Sequence, residues 1–112
     1  MLRDETIARV IQFRDDRNWR QFHTPKDLAL SMTLEAAELL EVFQWSGTDL
    51  ECREKMDHIR EELADVLSYC ILMADVCGLD LDEIMNAKVD KNEAKYPIEK
   101  AWGSAAKYTK LT

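Results

Sequence analysis

Apolar residues along this chain recur at helical spacing. Ile7, Val10, Ile11 and Arg14 fall along one side of a segment from about Arg3 to Trp19, which predicts a first helix. Gln21-Phe22-His23-Thr24-Pro25 interrupts it, with Pro25 as the breaker. A second helix, capped by Asp27, continues to about Trp45, and Ser46-Gly47-Thr48-Asp49 then reads as a polar turn. A third and longer helix runs from about Leu50 to Val76 and stops at Gly78. Asp80 caps a fourth, which Pro97 ends after Tyr96. Residues 98–112, with Gly103 and Ser104, read as a loosely ordered tail. No stretch alternates apolar and polar residues at strand period. The pattern therefore predicts an all-α fold, a four-helix bundle spanning residues 1–112 as one domain.

The third helix carries more apolar surface than one face can hold. Ile59, Leu63, Val66, Leu67, Cys70, Ala74 and Cys77 form one stripe, while Ile71, Leu72, Met73 and Val76 widen it in the second half. Such a helix needs cover on several sides, and a chain this short has few helices to give. Homo-oligomerisation through this helix is the expectation, as a dimer or a tetramer.

Composition narrows the partners. Across 112 residues, Lys plus Arg is 15 and Asp plus Glu is 22, a net charge of −7. A chain this acidic is poorly suited to nucleic acid or to an anionic membrane. A small anion stays open, because a bound metal reverses the local field. Cys52, Cys70 and Cys77 are an odd count without a paired framework, which points to reduced thiols and a cytoplasmic setting. Cys70 and Cys77 sit in an apolar segment and read as small core residues. The longest fully apolar run, Tyr69 to Ala74, is far too short to span a membrane.

The residues that need explaining are acidic. Glu35 and Glu38 lie three apart on the second helix, and Glu62 and Asp65 repeat the spacing on the third. At about 100° per residue, Glu35 falls among Leu28, Met32, Leu39 and Val42, inside the apolar sector of its own helix. Glu38 sits about 60° away, at the edge of that sector. An unpaired carboxylate in a packed seam costs several kcal/mol, roughly, unless a cation compensates it. No Lys or Arg occupies a core-facing position on these two helices. Carboxylate oxygens alone suit Mg²⁺ or Mn²⁺. Zinc is disfavoured because His23 and His58 are far apart in sequence, and neither follows a Glu by three as di-iron bundles require. Glu41, Glu54, Asp57 and Glu61 read as solvated faces.

The fourth helix brings the opposite sign. Lys88, Asn92 and Lys95 share one face, with Lys91 beside them and Tyr96 at the end, a set able to meet phosphate and sugar oxygens. Trp19, Phe22, His23 and Trp45 bring aromatic surface to one end of the helices. They either cover that end or sandwich a nucleobase.

Five blocks in order then carry a resemblance. They are Trp19-Arg20-Gln21-Phe22-His23-Thr24-Pro25-Lys26-Asp27-Leu28, Glu35-x-x-Glu38-Leu39, Phe43-Gln44-Trp45, Glu62-x-x-Asp65-Val66 and Lys88-x-x-x-Asn92-x-x-Lys95-Tyr96-Pro97. Together they resemble the MazG-like nucleoside triphosphate pyrophosphohydrolases of the all-α NTP pyrophosphatase superfamily, particularly the small dCTP-pyrophosphatase-type members. The resemblance implies Mg²⁺-dependent cleavage between the α- and β-phosphates of a nucleoside triphosphate in nucleotide-pool cleaning. It implies metal ligands at Glu35, Glu38, Glu62 and Asp65 and phosphate and sugar contacts at Lys88, Asn92, Lys95 and Tyr96. It further implies a base pocket at Trp19, His23 and Trp45. Its edge position makes Glu38 the candidate general base. Leu34 stands where many members carry an acid, which bears on metal number rather than on the reaction. Two competing readings are a non-enzymatic oligomeric helical interaction module and an enzyme acting on a different polyphosphate.

Overall fold

The computed structural model describes residues 2–112, and these contain helices and turns but no strand. Four helices of three turns or more appear: α1 (Asp4–Asp16), α2 (Pro25–Glu41), α3 (Met56–Cys77) and α4 (Leu81–Lys95). A single-turn α5 (Ile98–Ala101) and three short 3₁₀ segments complete the order. None of the helices among the described residues is long and apolar enough to cross a membrane. The chain divides into two compact units, the first ending at Gly78 and the second running Leu79–Thr112.

In the first unit α3 is the central element. α2 lies along it and α1 packs against it. Leu28 of α2 is fully buried, and Ile71, Leu72 and Ala74 of α3 join it in the core with Val42 and Cys52 from the connection. Burying a leucine-sized side chain contributes about 1.5–3 kcal/mol, so this small set fixes how α2 meets α3. Half-buried Cys70 touches Met32 across the same seam, sulfur to sulfur at 3.9 Å. Cys77, expected in the core, is instead exposed as the last residue of α3.

Local chemistry moves several boundaries. α1 ends at Asp16 because Asn18 turns left-handed at φ 53°, which releases Trp19 from the helix. Pro25 opens α2 rather than merely ending what precedes it. It occupies the first helical position, where its missing N–H costs nothing, and Thr24, not Asp27, is the N-cap. The Asp27 amide donates to Thr24 Oγ1 at 3.1 Å. α3 begins six residues later than its apolar pattern suggests. Asp49 Oδ1 accepts from the amides of Glu51 and Cys52, and Cys52 is left-handed at φ 46°, so the chain turns before the helix starts. Gly78, at φ 66°, closes α3 as expected.

The second unit opens with Asp80 as N-cap, its side chain accepting from the Glu83 amide at 3.0 Å. Within this unit the Tyr96 and Tyr108 rings meet edge to face at 6.0 Å, and Lys95 Nζ lies 4.9 Å from the centre of the Tyr108 ring.

Candidate active site

Packing α2 along α3 brings the two acidic pairs together. One oxygen each from Glu35, Glu62 and Asp65 lies within 4.8 Å of the others. Glu35 and Glu62 are half-buried, and each keeps one buried oxygen (Oε2) without a hydrogen-bond partner. Glu38 is exposed at the rim, within hydrogen-bonding reach of both.

The electrostatics follow from that crowding. Burial pushes the Glu35 carboxyl above the usual range, and hydrogen bonding with Glu38 and the charges of Glu38, Asp65 and Glu62 push it further. Glu62 is raised in the same way, by burial first, then by Glu38, Asp65 and Glu61. A cluster that resists its own ionisation and leaves buried oxygens unpaired is suited to a hard divalent cation. Carboxylate oxygens gathered in this way are the donor set that such an ion takes.

A cavity of about 440 Å³ adjoins this cluster through Asp65, lined also by Phe13, Arg14, Trp19, His23, Ser68 and Tyr69. Trp19 is half-exposed and meets Phe13 edge to face at 5.7 Å. His23 has its Nδ1 buried and unpartnered, and burial together with the positive charges of Arg14 and Arg20 holds its pKa below the usual value. A neutral imidazole lining the same cavity as an indole and a phenol offers flat surface with a polar edge, which matches a heteroaromatic ring.

Arg14 is 3% exposed and is held by Asp15 at 2.9 Å and by Asp75 of α3 at 2.6 Å. Neither partner belongs to the acidic cluster, so the buried cation on α1 leaves Glu35 and Glu62 uncompensated. Trp45 lies on the turn after α2, is 87% exposed and is not part of the cavity lining. Lys88, Asn92, Lys95 and Tyr96 all belong to the second unit, on α4 and its C-cap. Sequence reasoning passed over Ser68 and Tyr69. Their signal was available, since they stand three and four residues after Asp65 and share its side of α3.

An all-helical unit in which α2 and α3 bring Glu35, Glu62 and Asp65 together beside an aromatic cavity is the arrangement found in helical enzymes that process phosphate esters with a divalent metal. The MazG-like family model matches residues 30–111. The chain is 38% identical over 113 residues to dCTP pyrophosphatase 1 of Mus musculus, covering 96% of this chain and 66% of that protein. It is 40% identical over 115 residues to dCTP pyrophosphatase 1 of Homo sapiens, with 96% and 66% covered. It thus spans about two thirds of the length of these mammalian relatives. The crystal structure of a pyrophosphatase from Archaeoglobus fulgidus superposes with a TM-score of 0.77 at 43% identity, covering 84% of this chain and 91% of that one. The chain belongs to the MazG-like family.

Proposed function

We propose that this protein hydrolyses nucleoside triphosphates between the α- and β-phosphates, releasing nucleoside monophosphate and pyrophosphate, with dCTP or a modified deoxynucleotide as the first substrate to try. The observation that carries the reading is the convergence of Glu35, Glu62 and Asp65 beside a cavity walled by Trp19 and His23. A purely interaction-based role gives those unpaired buried oxygens nothing to do.

Glu35, Glu38, Glu62 and Asp65 are the proposed ligands for Mg²⁺, with Mn²⁺ as substitute. Once bound, the metal supplies positive charge to phosphate oxygens and makes a coordinated water more acidic. Glu38 stands outside the converging trio yet reaches both Glu35 and Glu62, which supports its assignment as general base. It takes the proton of the attacking water while the water oxygen bonds to the α-phosphorus. The bond from that phosphorus to the bridging oxygen breaks, and its electron pair leaves on pyrophosphate. Trp19 and His23, joined by Trp45, hold the base. Lys88, Asn92, Lys95 and Tyr96 contact phosphate and sugar.

We further propose that residues 1–112 act as one domain in the cytoplasm and that the working form is a homo-oligomer. Leu63 and Leu67 on α3 and Leu30 and Leu34 on α2 are exposed, and apolar side chains left uncovered on both helices support a partner copy. The deciding experiment measures pyrophosphate release from a panel of ribo- and deoxynucleoside triphosphates, with Mg²⁺ and with chelator. Metal-dependent pyrophosphate that disappears in Glu38→Gln is expected. Orthophosphate as product, or silence across the panel, overturns the reading.

A further inference from the structure

A second cavity, of about 470 Å³, takes in Glu38 and Glu62 of the acidic set and is lined also by Glu41, Val42, Lys55 and His58. Both cavities belong to the unit ending at Gly78. At about 1.5 Å rise per residue, His58 precedes Glu62 by about 6 Å along α3, and Leu72 of the aromatic cavity lies about 10 Å beyond Asp65. The order along the helix is therefore a cavity bearing Lys55 and His58, then the carboxylates, then the aromatic cavity. A nucleoside triphosphate has the same order: pyrophosphoryl end, α-phosphorus, base.

We propose that Lys55 and His58 hold the pyrophosphate end of the nucleotide as it departs, an assignment that rests on the pyrophosphohydrolase reading above. Lys55 Nζ donates to the Val42 carbonyl at 3.4 Å, which anchors the side chain across the loop between α2 and α3. It forms no ion pair within 4.0 Å among the described residues, so two of its three N–H donors are left for phosphate oxygens. His58 is four residues before Glu62 and shares its face of α3, which sets the imidazole one turn from the carboxylates. When the bond to the α-phosphorus breaks, the electron pair settles on the oxygen that had bridged the α- and β-phosphates, which becomes a terminal oxygen of pyrophosphate. An ammonium and an imidazole N–H at that end stabilise the new charge, and water is the only co-reactant. Glu38, Glu41 and Glu62 line the same cavity and repel a bare anion, so the ligand class is pyrophosphate complexed with a divalent cation.

The test uses the full chain and magnesium pyrophosphate as probe, with direct binding by calorimetry and product inhibition of turnover read in parallel. Lys55→Met and His58→Gln should each weaken pyrophosphate about tenfold, the effect of one charge-assisted hydrogen bond. Binding of the nucleoside monophosphate should be unchanged, and Lys55→Arg should restore most of the loss. Unaltered melting curves show that the variants fold. Pyrophosphate binding equal to wild type in both variants overturns the assignment, as does a wild type that releases pyrophosphate from nucleotide yet does not bind it. A wild type that cleaves no nucleotide refutes the parent reading instead, and the calorimetry still judges Lys55 and His58.

Discussion

Two seams meet α3 in the first unit, and they treat buried charge in opposite ways. Where α1 crosses, Arg14 is sealed from solvent with a carboxylate on either side, Asp15 on its own helix and Asp75 on α3. Where α2 crosses, Glu35 and Glu62 approach each other with no Lys or Arg paired to either among the described residues and with buried oxygens unpaired. The first arrangement serves the fold, since a satisfied pair locates one helix on another. The second costs stability, since it concentrates like charge in a poorly solvated place. A chain able to pair one seam and leaving the other open concentrates its unsatisfied chemistry at the site proposed to hold a metal ion.

The largest effect that separates the seams is on turnover. Glu35→Gln or Glu62→Gln should cut pyrophosphate release at least about 10³-fold, some ~4 kcal/mol of transition-state stabilisation. Steady-state kinetics at saturating Mg²⁺ check this, and a loss of less than tenfold would remove the residue from the metal set. Asp75→Ala should instead leave the chemistry in place and cost about 2–3 kcal/mol of stability. That is below the ~3–5 kcal/mol of a fully buried broken pair, because Asp15 stays beside Arg14 and Asp75 is itself one-third exposed. Urea unfolding measures it, and an unchanged midpoint would show that the α1 seam does not depend on the pair.

The same contrast sets a smaller effect of opposite sign. The folded-state pKa of Glu35 is raised, so the native protein holds protons that the unfolded chain has released. Its contribution to stability is complete below about pH 4.5 and is lost as pH rises through the folded value. Metal-free protein should therefore melt at a lower temperature as pH climbs through that window, and Glu35→Gln should flatten the dependence. Mg²⁺ should restore the melting temperature of wild type at neutral pH and leave that of Glu35→Gln nearly unmoved. A metal-free Glu35→Gln less stable than wild type at pH 7 would break the comparison, making this seam structural like the other.

The two seams were not equally legible. Carboxylate pairs at three-residue spacing, one inside an apolar sector, announce themselves because helical geometry alone puts Glu35 where a charge does not belong. Arg14 also stood in an apolar register, yet its partner Asp75 is 61 residues away and no local rule finds it. The helix starts at Pro25 and Met56 were obscured by turn chemistry, where Thr24 and Asp49 compete with the simpler signals of a breaker and an apolar run. Lys55 and His58 look like solvated positions in the sequence. They gain meaning only when the connection after α2 folds back and sets them at one cavity with Glu38 and Glu62.

The smallest expected effects concern the ring-binding side, and they separate two tryptophans. Trp19 lines the cavity beside His23, whereas Trp45 is 87% exposed on the turn after α2. Stacking on an aromatic ring contributes about 1–3 kcal/mol per base, so Trp19→Ala should raise KM about tenfold with little change in kcat. Trp45→Ala should raise KM only a few-fold if its indole meets the base at the open edge. An equal rise for the two would mean that Trp45 closes over the base as fully as Trp19. No rise for Trp45 would remove it from the base contacts, leaving Trp19, His23 and Tyr69 to hold the ring. Running both variants across cytosine, thymine and purine nucleotides sharpens the result. Loss of a stacking residue lowers affinity for every base alike, so any change in ranking belongs to the polar edge at His23 rather than to either indole.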